Sequence, residues 1–189
     1  MRPLQSIAMG LVIVALNAPV AGGYDALPDP LGWLLVVVGV RALPAEVSRR
    51  DTAVTLAWVA TAVSVPLWFP GFSEAAYAVH PSLGWALNLP QLGFAAMLCH
   101  SLAGSARPAE DHRAGAWLRT AMVGFLAAAV LPVVVFGAGV GSLETMSYVG
   151  AAVVLIVLIW LLFSYSARHW AGAQETRRGP HPPKEERPS

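Results

Sequence analysis

Six apolar stretches, at approximately residues 4–21, 30–43, 52–69, 83–103, 117–137 and 147–167, alternate with short polar turns. Most approach the ~20 residues that an α-helix needs to cross hydrocarbon. The pattern predicts an all-α fold, a polytopic membrane protein of six transmembrane helices packed as three antiparallel hairpins. Residues 72–82 read as a loop with a short amphipathic piece around Glu74 to Val79. From Arg168 onward the chain is polar, charged and Pro-rich, so residues 168–189 are expected to form a disordered cytoplasmic tail.

The second stretch orders the rest. Leu27-Pro28-Asp29-Pro30 is an acidic, Pro-rich turn, followed by Gly32-Trp33 and an apolar run that stops at Arg41. Asp29 is expected to cap the helix, and Pro30 suits the first helical position, where a missing N–H costs nothing. Leu27 to Leu43 covers only ~25 Å at the helical rise, so Arg41 has to snorkel and the bilayer to thin. Segment one, with Arg2 before it, has the basic start of a signal peptide. Its length and the lack of a small-x-small cleavage site favour a retained helix.

Charge tests this layout. The chain has 189 residues, 56% hydrophobic and 12% charged, with a mean hydropathy of +0.59. That charged fraction is half of the ~25% usual for a soluble domain. The net charge of +1 conveys little, but its distribution conveys a good deal. With both termini inside, all 12 Lys and Arg residues, from Arg2 to Arg187, fall on the inner side. The outer loops retain Asp25, Asp29, Glu74, Glu144 and His80. Treating segment two as re-entrant would put Arg107 opposite Arg49, so it is expected to span. Tyr24, Trp33, Trp68, Tyr77, Trp85 and Tyr148 would then line the outer interface, and Trp117, Tyr165 and Trp170 the inner one. Lys184 as the sole lysine, with abundant Ala, Gly, Val and Pro, indicates a GC-rich, bacterial genome.

Two patterns recur or resemble. Pro19, Pro66 and Pro132 lie in the odd segments, each followed by a Gly with an acid three residues on (Gly22/Asp25, Gly71/Glu74, Gly141/Glu144). Leu-Gly-Trp occurs at 31–33 and again at 83–85, which raises a threefold hairpin repeat against coincidence as the default. The run Asp25-Ala26-Leu27-Pro28-Asp29-Pro30-Leu31-Gly32-Trp33, then Val38-Gly39-Val40-Arg41-Ala42-Leu43-Pro44, resembles small uncharacterised bacterial multi-pass membrane proteins. Those chains carry a Leu-Pro-Asp-x-x-Gly-aromatic turn and a short apolar helix ending Gly-x-x-x-Leu. The resemblance implies a shared hairpin architecture and no assigned reaction.

Candidate chemistry is sparse. No Asp, Glu, Lys, Arg or His lies in the middle of a segment, which argues against pumps, proton-coupled carriers, voltage sensors and intramembrane metalloproteases. Cys99 is the single cysteine, excluding an intrachain disulfide or a Cys-rich metal site. His100 reads as an interfacial residue. Asn17, Asn88 and Gln91 are the polar groups at membrane depth, with Asn88 and Gln91 on one helical face. They are expected either to bond across helices or to line a solute pocket. The outer group Asp25, Asp29, Glu74, His80 and Glu144 could hold a hard cation, although topology alone accounts for it. Gly124 and Ala128 offer one close-packing face for self-association. No catalytic residue, metal or cofactor is predicted. The expected partners are the lipid bilayer and a homo-oligomer or membrane partner protein, with no nucleic acid. The first reading is therefore an integral membrane protein without catalytic machinery, structural, assembly or accessory in role. A small carrier or channel for a neutral or weakly polar solute is the alternative, and an outer-face enzyme or cation-binding protein the third.

Overall fold

A computed structural model of the chain describes residues 2–16, 28–79, 81–138 and 142–172. Among the described residues the fold is all-α. It comprises α1 (Pro3–Ala15), α2 (Asp29–Arg41), α3 (Arg50–Leu67), α4 (Pro70–Val79), α5 (Pro81–Ala106), α6 (His112–Ala138) and α7 (Ser142–Tyr165), closed by a 3₁₀ turn at His169–Ala171. Each apolar stretch holds one long helix, and α4 takes up the loop where a short amphipathic piece was expected. Several helices reach beyond their apolar stretches, because backbone hydrogen bonding continues through polar residues that hydropathy leaves out. By length and composition, one helical segment among these residues, His112–Leu131, is long and apolar enough to cross a membrane; Pro3–Ala15 and Val149–Tyr165 are shorter apolar helices.

The long helices form a ring in chain order: α1 packs on α2, α2 on α3, α3 on α5, α5 on α6, α6 on α7, and α7 returns to α1. Each contributes a stripe at helical spacing to the interior. On α3 the stripe is small (Ala53, Ala57, Ala60, Thr61, Ser64). Trp33 of α2 meets Phe94 of α5 edge-on, at 5.3 Å between ring centroids and 84° between planes. Trp33 is 2% exposed, so it belongs to the core and not to the aqueous interface expected of it. The hydroxyls of Thr61 and Ser64 each donate at 2.8 Å to a carbonyl of their own helix, so they enter the core without an orphaned group.

The tightest contact joins α1 and α2, antiparallel, through glycines. Gly10 faces the Gly32 carbonyl so closely that no Cβ could stand there. A Cβ on Gly32 would lie 2.7 Å from the Gly10 carbonyl, and one on Gly39 2.6 Å from Ile7 Cγ1 and 2.8 Å from the Ile7 backbone nitrogen. Gly32 and Gly39 are seven residues apart, hence two turns apart on one face. With the backbones this close, the Ser6 hydroxyl reaches across to donate to the Leu35 carbonyl at 2.9 Å. Both glycines belong to the Leu-Pro-Asp-x-x-Gly-aromatic and Gly-x-x-x-Leu pattern, which thereby acquires a physical reason.

Three expectations need correction. Pro28, not Asp29, is the N-cap of α2; Asp29 is the first helical residue, with its charge among the first-turn amides. Gly124 is not free for self-association: a Cβ there would lie 2.9 Å from Val154 of α7, so this face is used inside the chain. Finally, the packed structure does not stop at residue 167, since Trp170 and Ala171 are buried. Residues 173–189 lie outside the described residues. So do Pro19, Gly22 and Gly141 of the repeat pattern, whereas Pro66 and Pro132 fall within α3 and α6.

The glycine seam makes a contrast that mutagenesis can read. Gly39→Val is expected to destabilise the protein by about 1–3 kcal/mol or more, because the added atoms meet backbone that cannot move aside. At Gly93 and Gly150 an added Cβ would have nothing within 4 Å. Alanine at either is expected to be neutral or to stabilise by up to about 1 kcal/mol through helix propensity. Thermal unfolding of the purified variants in detergent measures both.

Candidate functional site: the arginine-lined end of the ring

Short turns bring the charges together. The α2–α3 turn, Pro44 to Arg49, is closed by a Val47 N–H to Pro44 carbonyl bond of 3.1 Å, and Arg50 donates to the Leu43 carbonyl at 3.1 Å. The α5–α6 turn, Arg107 to Asp111, lies beside it: a Cβ on Gly104 would sit 3.5 Å from Ser48 Oγ. The residues after α7 complete the cluster. Gly172 has φ of 84° and sits against Pro44 and Pro3, where a side chain would be strained both by the left-handed backbone and by its neighbours. Arg49 and Glu110, each with φ 57°, adopt the same left-handed conformation in the two turns. The α1 start, both turns and the α7 exit therefore share one end. Every Arg among the described residues lies on these turns or on the helix turns next to them, and Arg41 stacks 5.7 Å from the Trp58 ring centroid.

Asp111 organises this end. Its Oδ1 accepts the Ala114 N–H at 3.2 Å, and its carbonyl accepts the Gly115 N–H at 3.0 Å, which fixes the start of α6. Its Oδ2 accepts from Trp170 Nε1 at 3.4 Å and lies 3.6 Å from Arg168 Nε. Trp170 is buried, and its ring is 5.9 Å from that of Tyr165. One half-buried carboxylate thus caps a helix and ties the α7 exit to the α5–α6 turn.

Two cavities open here. One of about 470 Å³ is bordered by Pro44, Glu46 and Ser48 of the first turn, by Ser105, and by His169 and Trp170. The other, about 290 Å³, lies between α5 and α6 and is lined by Ala103, Arg107, Asp111, His112, Gly115 and Arg119. No bond in either sets up a nucleophile and base: the Ser105 hydroxyl donates at 3.3 Å to the Ser101 carbonyl of its own helix. Among the described residues no three His, Cys, Asp or Glu side chains are grouped to hold a metal ion.

The residues singled out from sequence fall elsewhere. Asn88 and Gln91 are half-buried on α5, on the helix half remote from these cavities, and the Asn88 amide donates at 2.9 Å to the Gly84 carbonyl one turn back. The bond across helices in that region comes from Trp85, whose Nε1 donates at 3.1 Å to the Ala129 carbonyl. Asp29 begins α2 and Glu74 is exposed on α4. Glu144 lies within α7, and His100 is exposed beside the buried Cys99. Asn17, Asp25 and His80 lie outside the described residues. The Asp111–Trp170–Arg168 link escaped the sequence reading because Asp111 lies 59 positions before Trp170. One signal was available: Pro-Ala-Glu stands in both turns, at 44–46 and 108–110, and both copies border the larger cavity.

No protein-family model, curated protein or solved structure matches this chain.

Asp111→Ala is expected to lower stability by about 1–2 kcal/mol, through the lost cap and the abandoned Trp170 N–H. Arg168→Gln, whose side chain is half in solvent, is expected to cost less than about 1 kcal/mol. Melting of the two variants in parallel checks the ranking.

Proposed function

We propose that the chain is a polytopic integral membrane protein whose six long helices cross a bacterial cell membrane with both termini cytoplasmic. In this reading it is a non-catalytic structural, assembly or accessory component of that membrane. The observation that carries the reading is the outer wall of the ring. On α7, Val149, Val153, Ile156, Trp160 and Phe163 form an exposed apolar stripe, with Ile156 and Trp160 each 63% exposed, while Leu158, Leu161 and Leu162 are buried. Leu31, Leu34 and Val38 do the same on α2, and Val123, Leu126 and Val130 on α6. A helix apolar all round belongs to a core or to lipid, and among the described residues none covers these outer faces. In His112–Leu131 only 28% of the apolar window is buried, unlike the core helix of a soluble domain.

The same physics accounts for the short helices. At 1.5 Å per residue α2 is about 20 Å long, less than the ~30 Å hydrocarbon core, so a thinned bilayer and the snorkelling Arg41 accommodate it. The one-ended arginines match the positive-inside rule. The likeness of residues 25–44 to small multi-pass membrane proteins points the same way.

An arginine introduced on the outer wall separates lipid from water. Ile156→Arg is expected to cost about 2.5–3.5 kcal/mol of insertion if that face meets the bilayer centre. On an aqueous surface the same change costs within about 0.5 kcal/mol. The measurement is the yield of protein recovered in alkali-washed membranes, with Glu110→Arg as the control. Equal yields for the two variants would contradict the proposal.

A further inference from the structure

We infer that the smaller cavity, between α5 and α6, is a binding site for a phosphate-bearing anion. Two arginines line it, Arg107 just after α5 and Arg119 two turns into α6, both with exposed side chains, together with His112 of the first turn of α6. Among the described residues neither arginine has a carboxylate within ion-pair distance; the ion pairs there are Arg50 with Asp51 and Arg168 with Asp111. Two cations without a carboxylate partner at one concavity leave charge-assisted hydrogen-bond donors for an anion to take. The carboxylate in the wall does not serve this purpose. Asp111 is committed to the Ala114 N–H through Oδ1 and to Trp170 and Arg168 through Oδ2.

Size and shape agree with this ligand. About 290 Å³ is enough for a phosphate and the first atoms attached to it, and not for a large solute. Gly115 supplies the floor, where a Cβ would meet nothing nearer than the Ala103 carbonyl at 3.8 Å. Arg119 stands one turn before Val123 and two turns before Leu126, both exposed apolar residues on α6. A phosphate held at this site would therefore sit where an acyl chain could continue along the outer wall. Basic pockets between helices on the cytoplasmic side are where anionic headgroups dock. The chemistry is common to an anionic phospholipid headgroup and to a soluble phosphate compound. The lipid source rests on the membrane-spanning proposal above, whereas the phosphate site does not.

Melting of the detergent-purified full chain tests this with three probes: short-chain phosphatidylglycerol, short-chain phosphatidylcholine of equal chain length, and inorganic phosphate. Binding to the folded state raises Tm. The expected result is a rise with phosphatidylglycerol beyond that with phosphatidylcholine. The rise is kept in Arg113→Gln, which removes an equal charge outside the cavity, and lost in Arg107→Gln/Arg119→Gln. Gly115→Leu, which fills the cavity and leaves every charge in place, is expected to abolish the rise as well, so the result does not depend on the double variant alone. A rise with inorganic phosphate showing the same variant pattern would assign the site to soluble phosphate. That outcome would stand even if the chain proved not to span a bilayer. No rise with any anion, or a rise that is the same in all variants, would overturn the inference.

Discussion

A guanidinium moved into an apolar environment without a partner costs several kcal/mol, and this constraint orders the molecule. The interior of the ring is filled by aliphatic and aromatic side chains, and much of its outer wall is apolar too. Charge is left with the ends. Among the described residues every arginine sits at the end that gathers the α2–α3 turn, the α5–α6 turn and the α7 exit. Polar groups elsewhere are small or turned onto their own backbone, as Thr61, Ser64 and Asn88 show.

With apolar surface both inside and out, apolarity alone cannot fix which helix meets which. Shape has to do so. The α1–α2 seam shows how: Gly10, Gly32 and Gly39 let two backbones touch, and the Ser6 hydroxyl adds a bond that only such proximity permits. If the helices lie in lipid, as proposed, dispersion over a close contact, and not escape from water, is the main force available to them. The edge-on Trp33–Phe94 contact joins α2 to α5 through shape in the same way. At the charged end, where water competes, Asp111 ties distant segments together through directed hydrogen bonds instead.

The helices were legible in the sequence because their apolar runs are long and their breaks are charged or Pro-rich. The glycine seam was only half legible. Gly32 and Gly39 stood out in a motif, but nothing along the chain identifies Gly10 as the partner. Trp33 was misplaced because a tryptophan near a helix start suits an interface and a core equally well by composition. The packing of Trp170 was hidden for a related reason: Arg168 and the charged residues beyond it dominate the local average. Asn88 and Gln91 drew notice as amides in an apolar run, yet an amide can be satisfied one turn back, and Asn88 donates there. The cavities arise where turns remote in sequence meet, and no local pattern encodes them.

In the proposed topology an apolar barrier separates the arginine-bearing end of the ring from the α4 end. Its most direct measurement is labelling of single cysteines by a membrane-impermeant maleimide, in intact and in opened cells, after the buried Cys99 is replaced by alanine. Cysteines at Ser48 and His112 should react only once the cells are opened, and one at Glu74 should react in intact cells. Reaction of Ser48 and His112 from opposite sides, or of all three from one side, would contradict the account.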